Sequence, residues 1–161
     1  MQGCPRGHLS LVGTRVFTVA EANELVPKLE EGFRLVLRLR AELRRAYARL
    51  EQAGHAPSWE SLRAPGDVPE EIRTGHGRFL ALAMAMAEQF EAVMATGVQV
   101  KDPETGLCDF PSVREGRPVQ LCWRLGEPAV EFWHELGAGF AGRLPLESDA
   151  PPHAPQRGGD A

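Results

Sequence analysis

The sequence predicts an α+β fold in which a long antiparallel helical hairpin packs on a small three-stranded antiparallel sheet, followed by a short C-terminal helix. Heptad spacing of apolar residues over 25–50, and again over 72–93, indicates the two long helices. After Gly97 apolar and polar residues alternate with a period of two, which indicates strands. The 161 residues and the 43% hydrophobic content fit one domain with a single core, over residues 16–146.

The first long helix is predicted to begin at Thr18 and to end near Gly54. Thr18 and Glu21 have the spacing of a capping box, in which each side chain accepts a hydrogen bond from the other residue's backbone amide. Pro27 lies inside the helix and should kink it or divide off the first turn, because proline cannot donate to the carbonyl four residues earlier. The positions expected to face the core include Leu25, Leu29, Phe33, Val36, Leu39, Leu43, Ala46 and Leu50.

A loop over residues 55–67 should lead to the second long helix, which is predicted to begin near Val68. Pro69 and the two glutamates after it suit the first turn of a helix. His76 would lie on the core side, where a lone histidine is usually structural. The core-facing stripe comprises Ile72, His76, Phe79, Ala83, Met86, Phe90 and Val93.

The strands are predicted to form a meander whose second and third members are joined by a two-residue turn at Glu115 and Gly116. This turn fixes a register that pairs Asp109 with Cys122 and Cys108 with Trp123. Both prolines of these strands then fall at non-hydrogen-bonded positions, which supports the register. The face turned away from the helices should carry Asp109, Gln120, Cys122 and Arg124, while Phe110, Val119, Leu121, Trp123 and Leu125 face the helices.

The short final helix is predicted over Pro128 to Leu136, with Gly137 as a left-handed cap. The G-x-G-x-x-G pattern over residues 137–142 does not predict a dinucleotide site, because no strand precedes it and no helix follows it. His134 and Glu135 begin the zinc motif H-E-x-x-H, but alanine occupies the second histidine position. Neither motif therefore assigns an activity.

Composition limits the classes of partner. A net charge of −4 argues against general binding of nucleic acid, and the arginine-rich face of the first helix is expected to be solvated. The three cysteines form no C-x-x-C pair, which favours a reducing compartment, and we expect a cytoplasmic location. No apolar run is long enough to span a membrane. Residues 1–15 and 147–161 are rich in Pro, Gly and polar residues and are expected to be disordered tails.

Metal-competent side chains are concentrated in the last third of the chain. They are Asp109, Cys122, Glu127, His134 and Glu135. Zinc accepts cysteine, histidine and carboxylate ligands, whereas iron or manganese would favour the histidine and the carboxylates. These residues could form a metal or polar small-ligand site, with Glu21 or Asn23 added from the first helix. In the alternative, structural interpretation Asp109 pairs with Arg124, Cys122 is a small buried hydrophobe, and His134 caps a helix or packs beside Trp133.

Several separate segments resemble one known family. They are VFTVAEANELVP over 16–27, the strand region GVQVKDPETGLCDFPSVREGRPVQLCWRLGEP, and FWHELGAGFAGRLPL over 132–146. Together they resemble a bacterial family of uncharacterised proteins, domain of unknown function 2203. The resemblance implies no established reaction, but it implies that polar residues cluster in the sheet, the last helix and the start of the first helix.

A second function class follows from the heptad stripes rather than from the polar residues. If the two long helices extend beyond the sheet, their apolar positions could pair with a second copy of the chain or with a partner helix. The protein would then be an interaction module without catalytic activity, and it could form a homodimer through the helical hairpin. Exposed apolar surface on the helices would favour this class, and a polar cluster in a concavity would favour the first.

Overall fold

A computed structural model describes residues 15–146 and confirms the α+β class. The predicted tails lie outside the described residues, apart from Arg15. The helices are α1 (Val19–Gln52), α2 (Trp59–Arg63) and α3 (Glu70–Met94). The strands are β1 (Gln99–Asp102), β2 (Leu107–Arg114), β3 (Arg117–Arg124), β4 (Phe132–Glu135) and β5 (Leu144–Pro145), with a 3-10 turn at Phe140–Gly142 before β5.

The first helix begins as its capping box predicts. The Thr18 hydroxyl accepts a hydrogen bond from the Glu21 amide at 3.2 Å, and the Glu21 carboxylate accepts one from the Thr18 amide at 2.8 Å. α1 runs through Pro27 as one element, so the first turn is not divided off. Val26 and Leu29 on either side of the proline are both buried, and their packing keeps this part of the chain in one helix.

The second long helix begins at Glu70, two residues after the predicted start near Val68, and the loop before it contains the short helix α2. Ser58 caps α2 by accepting a hydrogen bond from the Ser61 amide at 3.1 Å. His76 is buried in α3, and its Nε2 lies 3.0 Å from the His55 carbonyl, which can only accept a hydrogen bond. His76 therefore ties α3 to the end of α1, which is the structural role expected of it.

The sheet has five antiparallel strands in the order β1-β2-β3-β4-β5, not three. The prediction of a helix over Pro128 to Leu136 was wrong, because this segment contains β4. As a strand it places Trp133 opposite Leu121 in the core and covers the edge of β3 that would otherwise leave backbone groups unpaired. The left-handed glycine near the 3-10 turn is Gly139 rather than Gly137.

The predicted register between β2 and β3 is confirmed at every pair. Asp109 lies opposite Cys122 and Cys108 lies opposite Trp123. The turn residues Glu115 and Gly116 both have positive φ, 52° and 73°, as a two-residue turn of type I′ requires. Cys108 and Cys122 are both free and buried, on opposite faces of the sheet.

The core lies between the first half of α1, the end of α3 and the helix-facing side of the sheet. Its largest fully buried side chains include Trp123, Phe17, Phe33, Phe110 and Leu29. Beyond Phe33 the two helices continue as a helical arm, which we define as residues 36–52 of α1 and 70–90 of α3. Within the arm the only buried side chains are Val36, Leu50 and His76, so most of the predicted stripe there is only half-buried.

Candidate metal centre

Three of the five predicted site residues lie together on the sheet face turned away from α1. They are Asp109 of β2, Cys122 of β3 and His134 of β4, all buried. One potential ligand atom from each lies within 4.8 Å of the other two. The register explains the meeting, because Asp109 lies opposite Cys122 and His134 lies opposite the next residue on this face of β3, Gln120.

The imidazole of His134 is oriented by its own strand. Its Nδ1 lies 2.8 Å from the Glu135 carbonyl oxygen. A carbonyl can only accept a hydrogen bond, so Nδ1 carries a proton, and Nε2 presents a lone pair when the ring is neutral. Nε2 lies 3.2 Å from Oδ1 of Asp109, yet neither atom has a hydrogen-bond partner among the described residues. With a neutral ring, two buried acceptors face one another.

The second carboxylate oxygen of Asp109 has a different neighbour. Its Oδ2 lies 3.7 Å from Nζ of Lys101, which extends from β1 and is exposed. Lys101 therefore balances part of the carboxylate charge from the solvent side. Because the lysine approaches Oδ2, it leaves Oδ1 directed at the histidine.

The Cys122 thiol lies in a strongly desolvated position. Burial, and then the negative charge of Asp109, raise the pKa of Cys122 to about 11, against an opposing effect of Arg143. Burial is also the main reason why the pKa of Cys108, on the other face, is raised to about 12. Both thiols are therefore protonated at neutral pH unless a cation binds them.

Arg143 forms one side of the cluster. It donates a hydrogen bond to the Cys122 sulfur, and its Nη1 donates to Glu127 Oε1 at 2.6 Å. Its guanidinium lies 4.1 Å from the ring centres of both Phe132 and Phe140. The other Glu127 oxygen accepts from the Arg124 amide at 2.9 Å. Glu127 thus neutralises Arg143 and lies outside the three-residue cluster.

The remaining candidates are also held away from the cluster. Glu135 is exposed and is adjacent in β4 to His134, so its side chain points to the opposite face. Hydrogen bonds from the Thr18 amide and hydroxyl hold the pKa of Glu21 below its usual value. The Asn23 amide oxygen accepts from the Val130 backbone at 2.7 Å and fixes the chain that leads into β4.

The match to known proteins covers almost all of this described region. The family profile of uncharacterised conserved proteins DUF2203 matches residues 15–146. The chain belongs to this family. Neither the curated proteins nor the solved structures contain a significant match to it. The family description names no reaction, so the chemistry of the site rests on its own residues.

Two contacts of the alternative, structural interpretation differ from those of the described residues. Asp109 approaches Lys101 and His134, whereas Arg124 places its guanidinium 5.1 Å from the ring centre of Phe140. His134 is in a strand and caps no helix. Cys122 is buried as that interpretation expected, with Asp109 opposite it on β2 and Phe132 opposite it on β4.

Three contributors were not predicted as site residues. Gln120 lies on the same face, and its buried Oε1 has no partner among the described groups. The predicted register had placed Gln120 beside Cys122, so this residue could have been found. Lys101 and Arg143 could not, because their contacts depend on the bulge in β1 and on the path of the chain after β4.

The other surfaces bear on the predicted partners. No helix in residues 15–146 combines the length and the apolar composition needed to cross a membrane. On α1, Arg34 pairs with Glu30 at 2.6 Å and Arg40 pairs with Glu104. These pairs reduce the positive potential of the arginine-rich face, and the absence of nucleic-acid binding stays a prediction.

Proposed function

We propose that this chain binds a divalent transition metal, with zinc preferred, through Asp109, Cys122 and His134. The observation that carries the proposal is that Asp109 Oδ1 and His134 Nε2, both buried, lie 3.2 Å apart and that neither has a hydrogen-bond partner among the described residues. Acceptors buried in this way repel one another and have lost their hydration. A cation bound between them removes both costs.

The donor set favours zinc. Zinc takes thiolate, imidazole and carboxylate ligands together, whereas manganese prefers oxygen ligands and imidazole. Zinc bonds of about 2.0 to 2.3 Å at tetrahedral angles place ligand atoms roughly 3.4 to 3.6 Å apart. Since the three atoms already lie within 4.8 Å of one another, small side-chain movements would complete the set.

The surroundings fit a metal ligand set as well. Metal-binding histidines usually donate their second ring nitrogen to a carbonyl or carboxylate, as His134 does to Glu135. The hydrogen bond from Arg143 favours the thiolate of Cys122, and Glu127 offsets the positive charge that the arginine would bring near a cation. Glu127 and Arg143 therefore support the site without ligating the metal.

Three protein ligands leave one tetrahedral position. Zinc sites with an exchangeable fourth position have three protein ligands, while structural zinc sites usually have four. In this site the fourth position would take water or a small polar ligand, because the three side chains are buried. The metal and the polar small-ligand interpretations thus become one proposal, in which the metal holds the ligand.

The test is elemental analysis of full-length, tag-free protein after incubation with zinc, iron or manganese and removal of free metal. About one zinc per chain is expected, and the double variant Asp109→Ala with His134→Ala should retain none. Glu135→Gln is the matched control, since Glu135 is an exposed acidic residue next to His134 that does not join the cluster. This control should keep its metal.

Three results would overturn the proposal. In the first, the wild-type protein retains no metal after reconstitution although circular dichroism shows it folded. In the second, the double variant binds as much metal as the wild type. In the third, the Glu135→Gln control loses its metal. If the metal binds as expected, its fourth position can be probed with small anions by the absorption spectrum of the cobalt-substituted protein.

A further inference from the structure

The third helix carries a second heptad stripe that the fold of one chain leaves uncovered. Its members are Arg73, Gly77, Leu80, Met84, Ala87, Glu91 and Met94, and all of them are exposed. Each follows by one residue a member of the stripe that runs from Ile72 to Val93. One residue rotates a helix by about 100°, so the second stripe lies on an adjoining side of α3.

The middle of this helix is apolar on every side. Phe79 to Ala87 is a run of nine apolar residues without a charge. A helix that is apolar all round is normally enclosed by neighbours. α1 covers only one side of α3 here, and Leu80 and Met84 remain 40% and 56% exposed. The arm therefore presents an apolar surface that extends continuously from its own core.

We propose that this stripe forms a homodimer by packing antiparallel against the same stripe of a second copy. With the two-fold axis beside Leu82, Leu80 meets Met84 of the second copy, and Gly77 meets its Ala87. A side chain at Gly77 would contact nothing within one chain, so the surface there is open to a close neighbour. The result is a four-helix arrangement with α1 of each copy on the outside.

Charge complementarity selects a second copy as the occupant and fixes its direction. In the antiparallel register Arg73 lies opposite Glu91 of the second copy, and the two-fold axis repeats this pair at the other end. A parallel pair would instead place arginine against arginine and glutamate against glutamate, which is unfavourable. Among the described residues, Arg73 makes polar contacts with Glu70 and with the Val68 carbonyl, each at 3.3 Å, in exposed contacts that are readily exchanged.

The proposal does not depend on metal binding. No member of the stripe belongs to the cluster of Asp109, Cys122 and His134, which lies on the opposite side of the sheet from the helices. The Asp109→Ala variant should therefore remain dimeric. Loss of metal and loss of the dimer can be observed separately.

The first test is the molar mass of the full chain by light scattering and sedimentation over a concentration series. We expect a dimer, and we expect the Leu80→Glu with Met84→Glu variant to weaken it at least about 100-fold in Kd. Both positions are exposed, so this variant should fold as the wild type does. Val113→Glu is the matched control, because Val113 is 50% exposed but lies on β2, and it should leave Kd unchanged.

The second test uses charge exchange and separates this register from nonspecific apolar association. Arg73→Glu and Glu91→Arg should each weaken the dimer about tenfold, and the two together should restore it to within about threefold of wild type. A monomeric wild type at high concentration would overturn the proposal. So would a dimer that survives both glutamates at Leu80 and Met84, or a double exchange that fails to restore association.

Discussion

Leu29 and Leu43 occupy equivalent positions of the same heptad stripe on α1, but the structure treats them differently. Leu29 is fully buried where α1 crosses the sheet, while Leu43 is only half-buried in the helical arm. At the sheet end the helices and the sheet together enclose each side chain. In the arm each of the two helices is covered by the other on one side only. Periodicity therefore reports which side of a helix is apolar, and not how many elements cover it.

Truncation of each leucine to alanine tests this difference in burial. Leu29→Ala should lower the free energy of unfolding by about 2 to 5 kcal/mol, because it leaves a cavity in a closed core. Leu43→Ala should cost roughly half as much or less, since its side chain retains part of its hydration. Urea denaturation of both variants, at one protein concentration, measures the difference. Equal losses would show that the arm is packed as tightly as the core.

The next largest expected effect is the pH dependence of zinc binding on the polar face of the sheet. The thiol of Cys122 must lose its proton to bind zinc, and its pKa is raised to about 11 by burial and by Asp109. Below that pKa the thiolate fraction rises tenfold per pH unit, so zinc affinity should rise by about 100-fold between pH 6 and 8 from this proton alone. Competition with a chelating dye measures it. In Cys122→Ser the zinc affinity should be lower, and the pH dependence that comes from the thiol proton should vanish. An unchanged pH dependence would exclude the thiol as a ligand.

The helices and the polar face of the sheet differ in how far the sequence could predict them. The heptads, the capping box and the two-residue turn are local patterns, and they placed α1, α3 and the register of β2 with β3 correctly. That register also put Asp109, Cys122 and Gln120 on one face. β4 could not be found in this way, because Phe132 to Glu135 forms a strand through pairing with β3 rather than through a local pattern. Since β4 was missed, the sequence could name His134 but could not bring it to Asp109.

A smaller effect, on stability, distinguishes two roles of Asp109 and His134: a pair of metal ligands or a structural ion pair. In metal-free protein Asp109→Asn should raise the free energy of unfolding by about 0.5 to 1.5 kcal/mol, because the new amide can donate a hydrogen bond to Nε2 of His134. It should abolish zinc binding at the same time. If the imidazole were instead charged and held by Asp109, removal of the buried carboxylate charge would cost about 3 to 5 kcal/mol. Urea denaturation in the presence of chelator shows whether Asp109→Asn raises or lowers the free energy of unfolding.

The smallest effect concerns the turn at Glu115 and Gly116 that joins β2 to β3. Glu115 has a φ of 52°, a left-handed conformation that favours glycine and asparagine over glutamate. Glu115→Asn should therefore stabilise the fold by about 0.5 kcal/mol or somewhat more, and the loss of the exposed contact with Arg117 at 3.5 Å should subtract little. Zinc affinity should not change, since the register is already fixed by two buried faces. A change in affinity would mean that the turn, and not the packing of β2 against β3, holds Asp109 opposite Cys122.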